Sequence, residues 1–395
     1  MFRPYILRKK VLVGLAIFNV MLVYISFFSN KVIYTDDYEE KINAAKLMRS
    51  VLDLTYSFNE KKSNLDTDPF KSGVIGLETS PITTKPGFIK SKQSTTNPNF
   101  AALVVELFND VGISGGDTIA VSFTGSFPGA NIALLSACKI KNVHPVIISS
   151  IGSSSYGLNT LAMTWIDIEE YLNKKEMFDY MSMAVSLGGD NDRAEELPSD
   201  LVSLMKNRII KSKQLIYHDD IRHSIKERLK IYNDVMDIDE YSAYVSIGGG
   251  AVSLGDSIES RLYQPGIIED ISIEDISKNI SDYDEDVDEE QEEDIAFLNN
   301  DIDESELFTS LVSAFLSKDI SVVNLRNIYT LCDLYGLPYG YGKSHSVGEG
   351  DVYYTKERHH PMIVFICAIF SIISIIFIGY KSYEQINKSE ARENV

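Results

Sequence analysis

Positive charge is scarce in this sequence: 37 Lys and Arg stand against 57 Asp and Glu in 395 residues, a formal net charge of −20. A protein that grips nucleic acid by its phosphates needs the opposite balance, a basic footprint that displaces counterions, so no nucleic-acid partner is expected. Cysteine is scarce too, and three in the chain exclude a disulfide scaffold. Cys138 and Cys332 could pair in an oxidising compartment, but both lie in apolar helical patterns that fit free buried thiols, and Cys367 lies in a long apolar run. The six histidines have no ligand spacing to a second His or Cys, so no metal site is expected. Neither G-x-x-x-x-G-K-[ST] nor G-x-G-x-x-G occurs. The usual nucleotide cradles are therefore missing, and no cofactor is implied.

Apolar material is plentiful. A hydrophobic fraction of 44% with 22 Tyr and 18 Phe is enough for a real core. The charge deficit is local: between Glu269 and Glu306 there are 18 acids and a single base, Lys278, which accounts for −17 of the −20. Acids fill 10 of the 13 positions from Asp282 to Asp294, a density at which like charges repel and stay solvated. Calcium capture in the EF-hand manner lacks its Gly, since none follows Asp282, Asp284 and Asp286. The composition predicts a disordered acidic insertion at 269–306 in an otherwise nearly neutral chain.

Two apolar runs predict the topology. Val11 to Phe28 is interrupted only by Asn19 and a serine and follows Arg3, Arg8, Lys9 and Lys10. As a helix, 18 residues reach roughly 27 Å, about the core of a bilayer. A cleaved signal peptide is the alternative, but its apolar stretch is shorter and no A-x-A-like site follows. Met362 to Tyr380 carries no ionisable group but its terminal Tyr and is flanked by Arg358 and Lys381. Bases before the first run and Asp36, Asp37, Glu39 and Glu40 after it predict a cytoplasmic N-terminus, which returns the tail 381–395 to the same side. The expected location is the bacterial cytoplasmic membrane, with two spans (within 1–30 and 361–380), the lipid bilayer as a partner, and the large region outside.

Within that region, Tyr38, Ile42, Ala45, Met48, Leu52 and Thr55 form a helical stripe, and residues 61–99 are rich in Ser, Thr, Pro and Lys, which predicts a strap. Residues 31–98 are thus a juxtamembrane helix and strap, and 99–355 the main domain. Phe100 to Val111 is an apolar helical run. Thr118 to Phe123 (TIAVSF) is a β run that enters Thr124-Gly125-Ser126-Phe127-Pro128-Gly129-Ala130-Asn131, then a helix to about Lys141, then a second strand at Val146 to Ser149. This is a βαβ unit with parallel strands and a right-handed crossover. Met183 to Leu187 likewise runs into Gly188-Gly189-Asp190, and Tyr244 to Ile247 into Gly248-Gly249-Gly250, with a further β run at Ile320 to Leu325. The pattern predicts an α/β fold with a mostly parallel sheet and Gly-rich strand-to-helix turns, flanked by terminal transmembrane helices. Ligands of such sheets bind at the carboxyl ends of the strands, where these turns lie.

The candidate ligand-binding residues are therefore Thr124, Gly125, Ser126 and Asn131, the hydroxyl-rich edge Ser149, Ser150 and Ser154, and the turns Gly188, Gly189, Asp190, Gly248 and Gly249. Small residues there let backbone N–H groups and a helix N-terminus face an anion. Ser126 sits where an α/β-hydrolase nucleophile sits, but the elbow needs small residues two positions either side, and Thr124 and Pro128 stand there. Asp190 and Asp192 are acid/base candidates, or caps of the next helix.

The segments SPITTKPG (Ser80 to Gly87), STTNPNFAAL (Ser94 to Leu103), GDTIAVSFTGSFPGANIALLSA (Gly116 to Ala137), HPVIISSIGSSSYGLN (His144 to Asn159), YVSIGGG (Tyr244 to Gly250) and the run from Ile320 to Tyr354 resemble the poly-gamma-glutamate system protein family. The resemblance covers most of Gly73 to Tyr354. It implies a membrane protein of poly-gamma-glutamate synthesis and export, with the polymer and the membrane ligase and transport components of the system as partners. It carries over no catalytic residue. The acidic stretch departs from the family, as does Asn324, where His is expected. A hydrolase or transferase acting on the polymer through Ser126 or Asp190 is the alternative. More distantly, S-x-T-G-S at Ser122 to Ser126 resembles the phosphosugar-binding loop of sugar isomerase domains, though that loop carries an extra residue and a following acid.

Overall fold

A computed structural model describes residues 9–60, 63–255, 259–269, 310–341 and 346–393. The acidic stretch expected at 269–306 lies outside them except for Glu269. The chain divides into two compact units, one of residues Asp37–Tyr353 and one formed by the two ends, Met1–Asp36 and Tyr354–Val395.

The central unit is a layered α/β structure. Helices α1 (Tyr38–Asn59), α2 (Ile89–Thr95) and α3 (Asn99–Asp110) precede the first sheet strand, β1 (Thr118–Thr124). Then come α4 (Pro128–Lys141), β2 (His144–Ser150), α5 (Trp165–Lys174), β3 (Ala184–Ser186), α6 (Ser199–Ile210), β4 (Gln214–Ile216), α7 (Ile221–Val235) and β5 (Ala243–Ile247). The short α8 (Ala251–Leu254), β6 (Gly266–Ile268), α9 (Leu311–Leu316), β7 (Val322–Leu325) and α10 (Ile328–Leu334) complete it. The seven strands lie in the order β4-β3-β2-β1-β5-β7-β6, all parallel except the edge strand β6, which pairs antiparallel with β7.

Burial on both faces explains the composition of the inner strands. From Ile119 to Phe123, β1 is buried throughout, and Val121 lies between Ile147 of β2 and Val245 of β5. A strand covered on both sides must be apolar continuously rather than alternately. On one side of the sheet Tyr244 and Phe315 stack with ring centroids 4.6 Å apart, while Tyr232 donates to the Val121 carbonyl at 2.8 Å. Buried rings can satisfy their hydroxyls in this way without losing their apolar contact area.

The apolar stripe expected of α1 is an inward-facing seam. Ile42, Ala45, Met48, Leu52 and Thr55 are buried, and the helix packs against α3 and α4 as a layer of the sandwich. Following it, the strap is pinned at Asp68, whose carboxylate accepts from Ser72 N at 2.9 Å and Gly73 N at 2.7 Å. It then crosses the carboxyl ends of the strands, with Thr84 N donating to Ser153 O at 2.9 Å and Ser155 N donating to Lys85 O at 2.9 Å.

The direction of winding fixes where a crevice opens. From β1 the chain steps outward through β2, β3 and β4, then returns to the other side of β1 to form β5 and proceeds to β7. Between β1 and β5 the connections diverge, leaving the carboxyl ends of those two strands uncovered by a crossover.

The terminal unit consists of a helix at Lys9–Phe27, strands Asn30–Tyr34 and Tyr354–Arg358 paired antiparallel, and a helix at Pro361–Glu393. Both helices are long and apolar enough to cross a membrane. Most of their large apolar side chains face outward, Val20 at 67% and Ile376 at 64% exposure among them. Asn19, the polar break in the first run, donates to Ser374 Oγ at 3.0 Å and accepts from Ser371 Oγ at 2.6 Å. Such small hydroxyl and amide pairs join helices that have little else to distinguish one face from another.

Candidate functional site

A cleft of about 270 Å³ opens at the divergence of β1 and β5. It draws on the turns after β1, β2, β3 and β5 and on the strap. Of the residues singled out in the sequence, Thr124, Ser126, Ser149, Ser150, Ser154, Gly188, Gly189 and Gly249 line it, whereas Gly125, Asn131, Asp190 and Gly248 do not.

Those last four still bear on its shape. A Cβ on Gly125 would sit 2.8 Å from the Ile151 carbonyl, so only glycine lets the turns after β1 and β2 approach this closely. Gly248 has φ +86, and a Cβ there would meet Thr124 Cγ2 at 2.8 Å. Asn131, buried on α4, donates from Nδ2 to Thr124 O at 3.0 Å and so braces the turn from behind. Asp190 is exposed at the rim and ion-pairs with Lys85 at 2.8 Å.

Neighbouring hydroxyls divide between scaffold and cavity. Ser149 Oγ shares a hydrogen bond of 2.5 Å with Ser182, which also binds the buried Glu169. Burial raises the Glu169 pKa against the opposing pull of Lys213, its ion-pair partner at 3.2 Å. Ser126 N, by contrast, donates to Thr124 Oγ1 at 3.1 Å, leaving the Ser126 hydroxyl to accept from Ser154 N at 3.0 Å.

Behind Ser154 stands a lysine with no acidic partner among the described residues. Lys92 is 2% exposed, donates to Ser154 Oγ at 2.8 Å, and lies 3.5 Å from the centroid of the Phe127 ring. Burial pulls its ammonium from 10.5 down to about 7. A desolvated charge with only a hydroxyl and an aromatic face for company is costly, and the neutral amine relieves the cost. It follows that near neutrality Lys92 can both give and accept a proton.

Four further charged groups lie at or near the cavity. Arg228 and Asp192 line it as a buried pair at 2.8 Å, with Arg228 also donating to Ser186 Oγ at 2.7 Å. Lys85 lines the rim. Arg326, directly after β7, has its Nε 3.7 Å from where a Gly249 Cβ would be and meets no carboxylate among the described residues. Burial holds its guanidinium below its ordinary pKa. Lys85, Lys92, Arg228 and Arg326 were not legible as site residues. Lys85 and Lys92 belong to a strap with no periodicity, and Arg228 sits on a helix where an arginine ordinarily faces water. Only Arg326 had a positional signal, the first place after a β run.

The cleft therefore offers hydroxyls, glycine backbone and an excess of cationic groups, the chemistry of an anion or carboxylate site. No family model, no curated protein and no solved structure matches this chain.

Proposed function

We propose that this chain is a membrane-anchored component of a poly-gamma-glutamate biosynthesis and export system, whose α/β unit engages the polymer at the cleft between β1 and β5. One observation carries the reading: at the switch point the only carboxylate lining the cleft among the described residues, Asp192, is already paired with Arg228, and the nearby Arg326 offers positive charge, while Lys85 at the rim is paired with the exposed Asp190. Gamma-linked glutamate presents one free carboxylate per residue, and a cleft of this size takes a chain end or a few residues rather than a long stretch.

Anchoring rests on the two terminal helices, whose outward apolar side chains would be an aggregation hazard in water and suit lipid. The bases ahead of the first span put the N-terminus in the cytoplasm and the α/β unit outside, in the bacterial cytoplasmic membrane. There it would meet the polymer as the ligase and transport components deliver it.

Equilibrium titration of the full chain in detergent with a short γ-linked glutamate oligomer tests this. Saturable binding that weakens as salt rises is expected, with Arg326→Met losing roughly tenfold in affinity. Preference for inorganic phosphate or a phosphosugar, or no binding beyond that of an uncharged oligomer, overturns it.

A further inference from the structure

Lys92 is buried without an acid to answer its charge, yet it is not remote from the cleft. It does not line the cavity, but both groups it touches do: Ser154, whose Oγ accepts from Nζ at 2.8 Å, and Phe127, whose ring centroid lies 3.5 Å from Nζ. Lys92 thus stands one side chain behind the wall that an anion would meet. A purely structural role would be filled better by an apolar side chain, which carries no desolvation cost.

The Ser154 hydroxyl decides what that placement does. It has one proton to give, and no group among the described residues is bonded to accept it. The Ser154 backbone N–H is engaged separately, donating to Ser126 Oγ at 3.0 Å, so the loop keeps its place whichever way the hydroxyl turns. As an ammonium, Lys92 has three donors and no lone pair, so Ser154 Oγ accepts from it and the hydroxyl proton is left for the cleft. As a neutral amine, Lys92 has a lone pair that draws the Ser154 proton inward. The cleft then loses a donor together with the charge behind it.

We propose that Lys92 is a proton-coupled positioning residue of the anion site: a carboxylate bound beside Ser154 is taken up together with a proton on Lys92, and Ser154 turns its hydroxyl proton onto that carboxylate. The ligand class rests on the polymer reading above; the coupling rests on the contacts of Lys92 with Ser154 and Phe127, and any anion in that part of the cleft would engage it.

The surroundings leave Lys92 free to respond. Burial alone pulls its ammonium down to about 7, with no neighbouring charge contributing. Helix α2 packs against α4 and α10, and the titratable groups there are engaged elsewhere or exposed. On α4, Lys139 donates to the Met177 carbonyl, Lys141 pairs with Glu40, and Cys138 is a buried thiol. On α10, Cys332 is buried and held by Ser94, while Asp333 is exposed. On α2 itself Lys90 is exposed; across the cleft wall Lys85 pairs with Asp190, and Tyr156 meets Glu78. A carboxylate arriving beside Ser154 is therefore the one negative charge Lys92 would meet, and it favours the charged form. The Phe127 ring steadies that form. By linkage, protonated Lys92 favours the carboxylate to the same extent. Affinity is then full below about pH 7 and is lost as pH rises through the higher value that Lys92 takes in the complex.

The test is equilibrium titration of the full chain in detergent with an N-acetylated γ-linked glutamate oligomer, whose carboxylates stay ionised and whose amine is blocked across pH 6 to 9. Wild-type affinity should fall roughly tenfold over that range, the equivalent of about one unit of pKa shift, with net proton uptake at pH 8 seen by calorimetry in two buffers of different ionisation enthalpy. Lys92→Met should bind roughly tenfold more weakly than wild type at pH 6, equally at pH 9, and with a flat profile. Ser154→Ala keeps the backbone N–H that holds Ser126 and leaves the ammonium in place, so it reports on the hydroxyl should Lys92→Met fold poorly; it should weaken binding roughly fivefold at pH 6 and hardly at pH 9. A flat wild-type profile, a slope that persists in Lys92→Met, or Ser154→Ala at wild-type affinity at pH 6 overturns the proposal. Sulfate, ionised throughout this range, separates the coupling from the polymer. Sulfate bound with the Lys92-dependent profile and no oligomer bound supports the coupling and removes the polymer; oligomer bound with a flat profile does the reverse, and binding of neither overturns both.

Discussion

Lys92 is the residue at which burial and charge oppose each other. Its folded pKa of about 7 lies below the 10.5 of an exposed lysine, so between those values the folded chain binds fewer protons than the unfolded one. Stability therefore rises with pH across that window, and the full cost of burying the ammonium is carried below about pH 7. Lys92→Met should raise the unfolding free energy of the α/β unit, and by roughly 2–3 kcal/mol more at pH 6 than at pH 9. Denaturant titration at the two pH values checks this; equal gains would mean that Lys92 is not held as a depressed base. None of it is visible in the sequence, where KSKQST reads as solvated strap. Ser126 was legible because a β run, a Gly and a helix bracket it. Lys92 was not, because it comes from a segment remote in the chain and without pattern.

Among the elements, the inner strands could be read directly because burial on both faces makes them uniformly apolar, as TIAVSF and YVSI are. The three-residue edge strands Gln214–Ile216 and Gly266–Ile268 could not, being too short to show a period and only partly buried. The α1 stripe was legible as amphipathic, but not its partners, α3 and α4. Between elements, the buried Arg228–Asp192 pair ties the turn after β3 to α7. Arg228→Met would strand Asp192 without its partner in a buried site and should lower stability by about 3–5 kcal/mol. The urea midpoint reports the loss, and an unchanged midpoint would mean that the pair contributes nothing net. The same substitution also removes a cation from the cleft wall, so weaker oligomer binding should accompany it.

For the molecule as a whole, the scarcity of positive charge proves to be a property of one stretch. Without Glu269 to Glu306 the formal charge falls from −20 to −3, because that stretch carries −17. Like charge repels an anionic polymer over about a Debye length, so a chain lacking the stretch should bind a γ-linked oligomer more tightly at low salt and equally at high salt. Titrations at two ionic strengths decide this; no difference at low salt would place the stretch beyond electrostatic reach of the cleft. The proposed topology predicts that Lys230→Cys, an exposed site on α7, reacts with an impermeant maleimide on intact cells, since Cys138, Cys332 and Cys367 are all free and buried. Reaction only after lysis would reverse the topology. The most direct test of the central claim is to photocrosslink a γ-linked glutamate oligomer to the full chain and map the adducts by mass spectrometry. Adducts on the strap at Thr84 to Pro86 and on the turns after β1, β2, β3 and β5 are predicted; adducts scattered over the surface, or confined to other faces of the α/β unit, would contradict it.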